Sequence, residues 1–362
     1  MPFCPHRNRP TRSADRGRAW KKETPLRDHR GSDRAAHCNE RRFSCRHAGR
    51  LVPSLMRVVS LVLRALRRLL RFGLYAVNCA LQGEPATPQL LTSDQSEELD
   101  AISEFLLSLD QPDPNASAYV REHLERLAFT IRLLPTSRTS GRCLELGSYL
   151  HLAPAAQQFR RYAKICTANF GPRGVKIAKE ASSQGREILR SETDLFDVEI
   201  DEFPYEDDYF ETVLACEILE HLRVDPMHML FEIFRVLEND GLLLITTPNC
   251  ASIASLEQLL WRSSNPYTYS LYSHPERTGG DTSPSHIREY TPDELRKLVE
   301  SAGFRVDALL TQPGRRVGTK DLIEDILLRY GFPTDLRGEQ MYCLARKTPT
   351  EGRCRFPSFL YG

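Results

Sequence analysis

Two short stretches hold the residues whose types and spacing could do chemistry. Cys216-Glu217-Ile218-Leu219-Glu220-His221 sets a thiol, two carboxylates and an imidazole directly behind the apolar run Thr212-Val213-Leu214-Ala215. A histidine so placed could take a proton from a nucleophile, which makes His221 the nearest candidate base. The competing reading is a histidine in the first turn of a helix that only orients its neighbours. Glu220 reads as a helix-face residue rather than an acid catalyst. The second stretch is Glu145-x-Gly147, at the end of the apolar run Arg142-Cys143-Leu144. A residue without a side chain lets a bulky ligand approach the backbone, and the acid favours a cationic group. A dinucleotide site would need G-x-G-x-x-G, and Gly147-Ser148-Tyr149-Leu150-His151 lacks that pattern.

The elements that must position these residues follow from periodicity. Residues 211–216 suit a buried strand, Met227 to Leu237 carries a helical apolar stripe, and Asn239-Asp240-Gly241 is a stop signal. Leu242 to Thr247 is a second buried strand, closed by Pro248-Asn249. Strand, helix and strand make a βαβ unit, and ligands of open α/β sheets sit at the carboxyl ends of the strands. Upstream, Arg142 to Gly147 is a strand, a helix runs to about Tyr162, and a strand over residues 163–168 ends at Asn169. Asp194 to Val198 is a short third strand. Downstream, residues 250–290 form a long connection with Trp261, Tyr267, Tyr269, Tyr272, His274 and His286. Its histidines could fold over the site, and its aromatics form either an acceptor pocket or a small core of their own. Thr291-Pro292-Asp293-Glu294 starts a helix that Gly303 ends, and strands follow at Phe304–Leu310 and Gln340–Arg346. This β-α alternation is the signature of a doubly wound sheet.

The chain has 362 residues, 41% hydrophobic and 27% charged, ordinary for a globular protein. Its net charge of +1 hides an asymmetry, because residues 1–72 carry nineteen Lys or Arg against five Asp or Glu. The globular part is therefore acidic, and no nucleic acid is expected to bind it. Residues 1–50 have almost no apolar periodicity and read as a disordered basic arm, with a nucleic-acid-binding or targeting role, or a translation start at Met56, as the alternatives. Residues 51–81 read as a basic amphipathic helix whose arginines recur at helical spacing. It either lies on a membrane surface or docks on the domain. No run reaches the ~20 apolar residues of a membrane span, and the expected location is the cytoplasm or the inner membrane face. Residues 90–136 form a helical cap in which no chemistry is visible, and 349–362 a tail. The ten cysteines are scattered without C-x-x-C spacing and read as free thiols, so no metal site is expected.

The ordered set Phe203-Pro204-Tyr205-Glu206-Asp207-Asp208-Tyr209-Phe210, Cys216 to Leu222, Glu232 to Leu237, Thr246-Thr247-Pro248-Asn249 and His286 to Leu295 resembles the class I S-adenosylmethionine-dependent methyltransferases. The resemblance covers about residues 140–311, within a methyltransferase domain of 137–348 whose substrate-side insertion is 250–290. It implies a Rossmann-like, doubly wound seven-stranded α/β sheet with the last strand antiparallel, preceded by N-terminal helices. It also implies S-adenosylmethionine as cofactor and a small-molecule or lipid-linked acceptor. By resemblance, Glu145, Gly147 and Ser148 stand in the loop that holds the methionine part, and Asn169 stands where an acid usually meets the ribose. Asp197 and Val198 fall at the adenine, and Cys216 and Glu217 below the methyl group. Tyr149 and His151 depart from the glycines common in that loop, and Asn169 gives no charge-assisted pair. A non-catalytic relative serving as a partner module is the alternative.

Overall fold

A computed structural model describes residues 93–112, 114–138, 141–261, 286–312, 320–348 and 352–361, with positions 62, 63 and 66. The chain divides into two compact units, 1–68 and 69–362. Of the first, residues 62, 63 and 66 are helical and half exposed. The basic arm, the remainder of the 51–81 helix and the 262–285 part of the insertion lie outside the described residues. Among the described residues no helix is long and apolar enough to cross a membrane.

The second unit opens with helices α1 (Ser93–Ser108), α2 (Pro114–Glu122) and α3 (Leu124–Leu133). They precede strand β1 (Arg142–Leu146), helix α4 (Leu152–Arg160) and strand β2 (Lys164–Asn169). Strands β3 (Val175–Ser183), β4 (Arg186–Leu195) and β5 (Phe210–Cys216) come next, then a 3₁₀ turn at Leu219–His221. Helix α5 (Pro226–Val236), strand β6 (Leu237–Pro248) and helices α6 (Ile253–Trp261) and α7 (Pro292–Ser301) follow. Strand β7 (Phe304–Gln312), helix α8 (Lys320–Arg329) and strand β8 (Gln340–Lys347) complete it.

The eight strands form one sheet in the order β3-β4-β2-β1-β5-β6-β8-β7. β4, β2, β1, β5 and β6 run parallel, and the last strand β8 is antiparallel to both β6 and β7. Successive side chains of a strand point to opposite faces, and the apolar residues divide accordingly. Leu144, Leu146, Val213, Ala215, Leu243 and Ile245 join α5 and α7 in one core. Cys143, Leu214, Leu242 and Leu244 join α4 and the N-terminal helices in the other, through Ile102, Leu106, Leu127 and Ile131. The helical cap therefore shares a core with the sheet. Arg160 fixes it there, donating to the Ile131 carbonyl at 2.9 Å and pairing with Glu98 at 2.6 Å.

The expected count of seven strands becomes eight because β3 is an additional edge strand, antiparallel to β4. Its mostly exposed face hides the apolar alternation that would have marked it, and Gln184 (φ 53°) and Gly185 (φ 74°) make the tight turn. The third strand accordingly starts at Arg186, not Asp194, and ends before Asp197. The second cap helix breaks at His123 into α2 and α3. In α5, Asp225 caps the Met227 and His228 amides, while Arg355 and Tyr361 of the C-terminal segment bind its carboxylate.

β2 meets β4 only at Ala168↔Asp194 and Asn169↔Leu195. Toward their starts the two strands part, leaving a cavity of about 600 Å³ lined by Cys166, Ser191 and Tyr205 among others. None of the cofactor or catalytic candidates lines it.

Candidate functional site at the strand ends

The chain leaves β1 through Gly147, whose φ of 66° is left-handed. A Cβ there would stand 3.2 Å from Ile218 Cδ1, so the conformation favours glycine and a side chain would also press on Ile218. Ser148 then donates its N–H to the Ala168 carbonyl of β2 at 3.0 Å. The Glu145 carboxylate lies buried beneath the loop and accepts from Ser148 Oγ at 2.7 Å and the Ala153 amide at 3.1 Å. Burial pushes Glu145 up to about 7, against the pull of those two bonds and of Lys179. Its carboxylate braces the loop and the start of α4. Tyr149 is 71% exposed and lines the same cleft as Gly147.

Across from this loop stands the crest after β5. Burial pushes the Cys216 thiol far up, so it stays protonated. Glu217 takes a φ of 53°, a strained setting for a side-chain-bearing residue. Its Oε1 accepts from Thr246 Oγ1 at 2.8 Å and Gln340 Nε2 at 2.7 Å. Its Oε2 is paired with Arg126, which reaches down from α3 and also donates to Tyr119 Oη at 2.7 Å. Burial opposes the charge on Arg126, but Glu217, Tyr119 and the neighbouring Cys216 and Tyr342 together outweigh it and hold the guanidinium protonated. The cap, in which the sequence showed no chemistry, thus supplies two site residues. The available signal was a cation beside Leu124, Leu127 and Ile131, on a helix whose apolar side faces the sheet.

Glu145, Gly147, Cys216 and Glu217 share one cleft with Tyr119, Arg126, Tyr149, His151 and Thr246. Its free volume is about 40 Å³, room for a water molecule or so rather than a nucleotide.

The other sequence candidates lie outside that cleft. Asn169 sits at the end of β2, with its Nδ2 donating to the Ser148 carbonyl at 3.3 Å. Its Oδ1 accepts from its neighbour Phe170 N at 2.9 Å. Lys179 of β3 reaches the same Ser148 carbonyl at 2.8 Å. Asp197 follows β4 and accepts from Glu199 N at 2.9 Å, while its own N–H goes to Asp201 at 2.8 Å. Val198 packs partly against the core. The polar groups of Asn169 and Asp197 are therefore engaged in their own turns.

The 3₁₀ turn corrects one expectation. Glu220 is fully buried, not on a helix face, with Oε2 accepting from Thr247 Oγ1 at 2.8 Å. Burial, reinforced by the charge of Glu217, pushes it up to about 8. His221 Nε2 lies 3.8 Å from Glu220 Oε1. The ring of His286 stands 5.0 Å from that of His221, so the end of the insertion brings His286 beside the 3₁₀ turn. Its Nδ1 meets Glu289 at 2.9 Å, a bond that raises its pKa. His274 and the aromatics at 267, 269 and 272 lie outside the described residues, as does the side chain of Trp261.

A family model described as a methyltransferase domain matches residues 118–309, over half of the chain. A curated relative from Mycolicibacterium smegmatis, named a "probable S-adenosylmethionine-dependent methyltransferase", is 31% identical over 111 residues. That match covers 30% of this chain and about a third (34%) of the relative. Among solved structures, a SAM-dependent methyltransferase from Archaeoglobus fulgidus aligns at 14% identity and a TM-score of 0.41, over 65% of this chain and 100% of the other. A methyltransferase of Haloferax volcanii, solved with its Trm112 activator, aligns at 14% identity and a TM-score of 0.39, over 70% of this chain and 98% of the other.

Proposed function

The chain belongs to the methyltransferase-domain family, of the class I type that uses S-adenosylmethionine, and from that premise we propose that it transfers a methyl group to a small-molecule or lipid-linked acceptor. The observation that carries this reading is the pairing of a bare, left-handed Gly147 with an Arg126–Glu217 ion pair across one narrow cleft. The methionine end of the cofactor is a zwitterion. Arg126 is the partner for its carboxylate and Glu217 for its ammonium, once each is released from the other. Gly147 gives the chain of the ligand access to the backbone. Bound, the cofactor supplies an electrophilic methyl on a sulfonium. The protein contributes alignment of the acceptor with it, and His221 at the crest is the candidate to take the acceptor's proton. Loading requires Arg126 and Tyr119 to give way, because the cleft holds about 40 Å³ as it stands.

That same crowding favours a second reading, a relative that keeps the fold and acts as a binding module. Incubation with methyl-tritiated S-adenosylmethionine and either small-metabolite or lipid extracts separates the two. Label moving into one fraction supports the enzyme, and no transfer to either, with the cofactor bound, supports the module. A peripheral membrane contact through 51–81 belongs to the lipid-linked version of the proposal. Label entering the lipid fraction alone supports it.

A further inference from the structure

From the side chains at the 3₁₀ turn we infer that Glu220, His221 and His286 form a binding site for a single divalent transition-metal ion. One potential ligand atom from each of the three lies within 4.8 Å of the other two. Ligands about 2.0–2.2 Å from an ion stand roughly 3–4 Å apart, so a small adjustment of side chains closes the set. The independent sign of a missing ligand is Glu220 Oε1. It is buried and accepts no hydrogen bond from the described residues, whereas Oε2 of the same carboxylate is satisfied by Thr247. A buried carboxylate oxygen left without a donor is costly, and a cation is the partner this one lacks.

The surroundings are built to keep the three ligands together. The Glu220 carbonyl accepts from the amides of Ile287 at 2.6 Å and Arg288 at 3.2 Å, which ties the end of the insertion to the turn. Asn249 and Tyr290 bridge the same segment to the end of β6. Glu289 engages His286 Nδ1, leaving Nε2 as the coordinating atom, and Thr247 fixes Glu220. Such outer partners orient metal ligands. Two imidazoles and one carboxylate suit the borderline cations of the Zn²⁺, Co²⁺ and Fe²⁺ class better than Mg²⁺, which prefers oxygen. Three protein ligands leave positions open for water or an acceptor oxygen. Resting on the methyltransferase reading, with His221 a ligand and the ion rather than His221 preparing the acceptor to lose its proton, this selects acceptors that carry a hydroxyl, because a bound cation would make such a group more acidic.

The test is a Co²⁺ titration of chelator-stripped full-length protein, followed by visible absorption and by metal content after desalting. Wild type should retain one Co²⁺ per chain, without the near-ultraviolet thiolate band that cysteine ligation would give, and Zn²⁺ should displace it. Glu220→Gln and His286→Ala should each weaken binding at least tenfold. Absence of retained Co²⁺, a thiolate band, or unchanged affinity in both variants overturns the site. S-adenosylmethionine titrated into the same stripped samples keeps the outcomes apart. Cofactor binding without a Co²⁺ site sinks the metal and leaves the methyltransferase reading intact.

Discussion

The rim of the sheet has two halves that treat their polar groups differently. On the side of β1, β5 and β6, Gly147, Glu217, Arg126 and Thr246 line one cleft, a charged pair crosses it, and Gln340 of β8 holds Glu217. On the side of β2 and β4, the half-buried Asn169 and Asp197 are hydrogen-bonded within the neighbouring loops. The first half therefore has groups to exchange with a ligand. The first would exchange its ion pair for the charged ends of the ligand, whereas the second would surrender local hydrogen bonds, each worth about 0.5–1.5 kcal/mol net, before meeting one. On the proposed reading, the contrast predicts that recognition in this chain rests on the amino-acid end of the cofactor more than on its nucleoside.

Gly147→Val breaks the comparison most severely. A β-branched residue at φ 66° meets Ile218 and costs ~1–3 kcal/mol of strain. Affinity for S-adenosylmethionine should fall more than 100-fold by calorimetry while circular dichroism shows a folded protein. Arg126→Ala comes next. If the guanidinium holds the cofactor's carboxylate, affinity should drop about 10- to 100-fold, in line with a charge-assisted bond of roughly 1.5–3 kcal/mol. A rise in affinity would instead identify Arg126 as a plug, and that result would favour the module.

Asn169→Ala sharpens the contrast from the other half. Because its amide is committed to Ser148 and Phe170, the cofactor affinity should change less than threefold. A tenfold loss would show that the nucleoside half does recognise the ligand.

Much of this was legible in the residues. Short apolar runs in 142–146, 211–216 and 242–247 placed the central strands, and Gly147, Glu145, Cys216 and Glu217 line one cleft at their ends. What escaped was set by tertiary partners. Strand β3 shows the solvent most of its length, so its pattern lacks the apolar period. Arg126 looks like any helix-surface charge until α3 is laid on the sheet and its guanidinium faces Glu217. Glu220 looked exposed because the turn that buries it is 3₁₀ rather than α-helical. His286 lies far along the chain from His221, and only the backbone ties at Glu220 bring the two rings together.

The smallest expected effect concerns pH. Glu145 is held up to about 7 by burial, against an ordinary carboxylate value near 4.5. The folded protein thus binds a proton more tightly than the unfolded chain does. This contribution to stability is present below about 4.5 and declines as pH rises toward about 7. Glu145→Gln should flatten that decline in urea midpoints measured between pH 5 and 7.5. An unchanged slope would show that the carboxylate titrates normally.

Isothermal titration of S-adenosylmethionine into the full-length protein tests the central claim most directly. The account predicts a saturable one-to-one heat in wild type that is lost in Gly147→Val and weakened in Arg126→Ala. Wild-type protein that gives no saturable heat would contradict it.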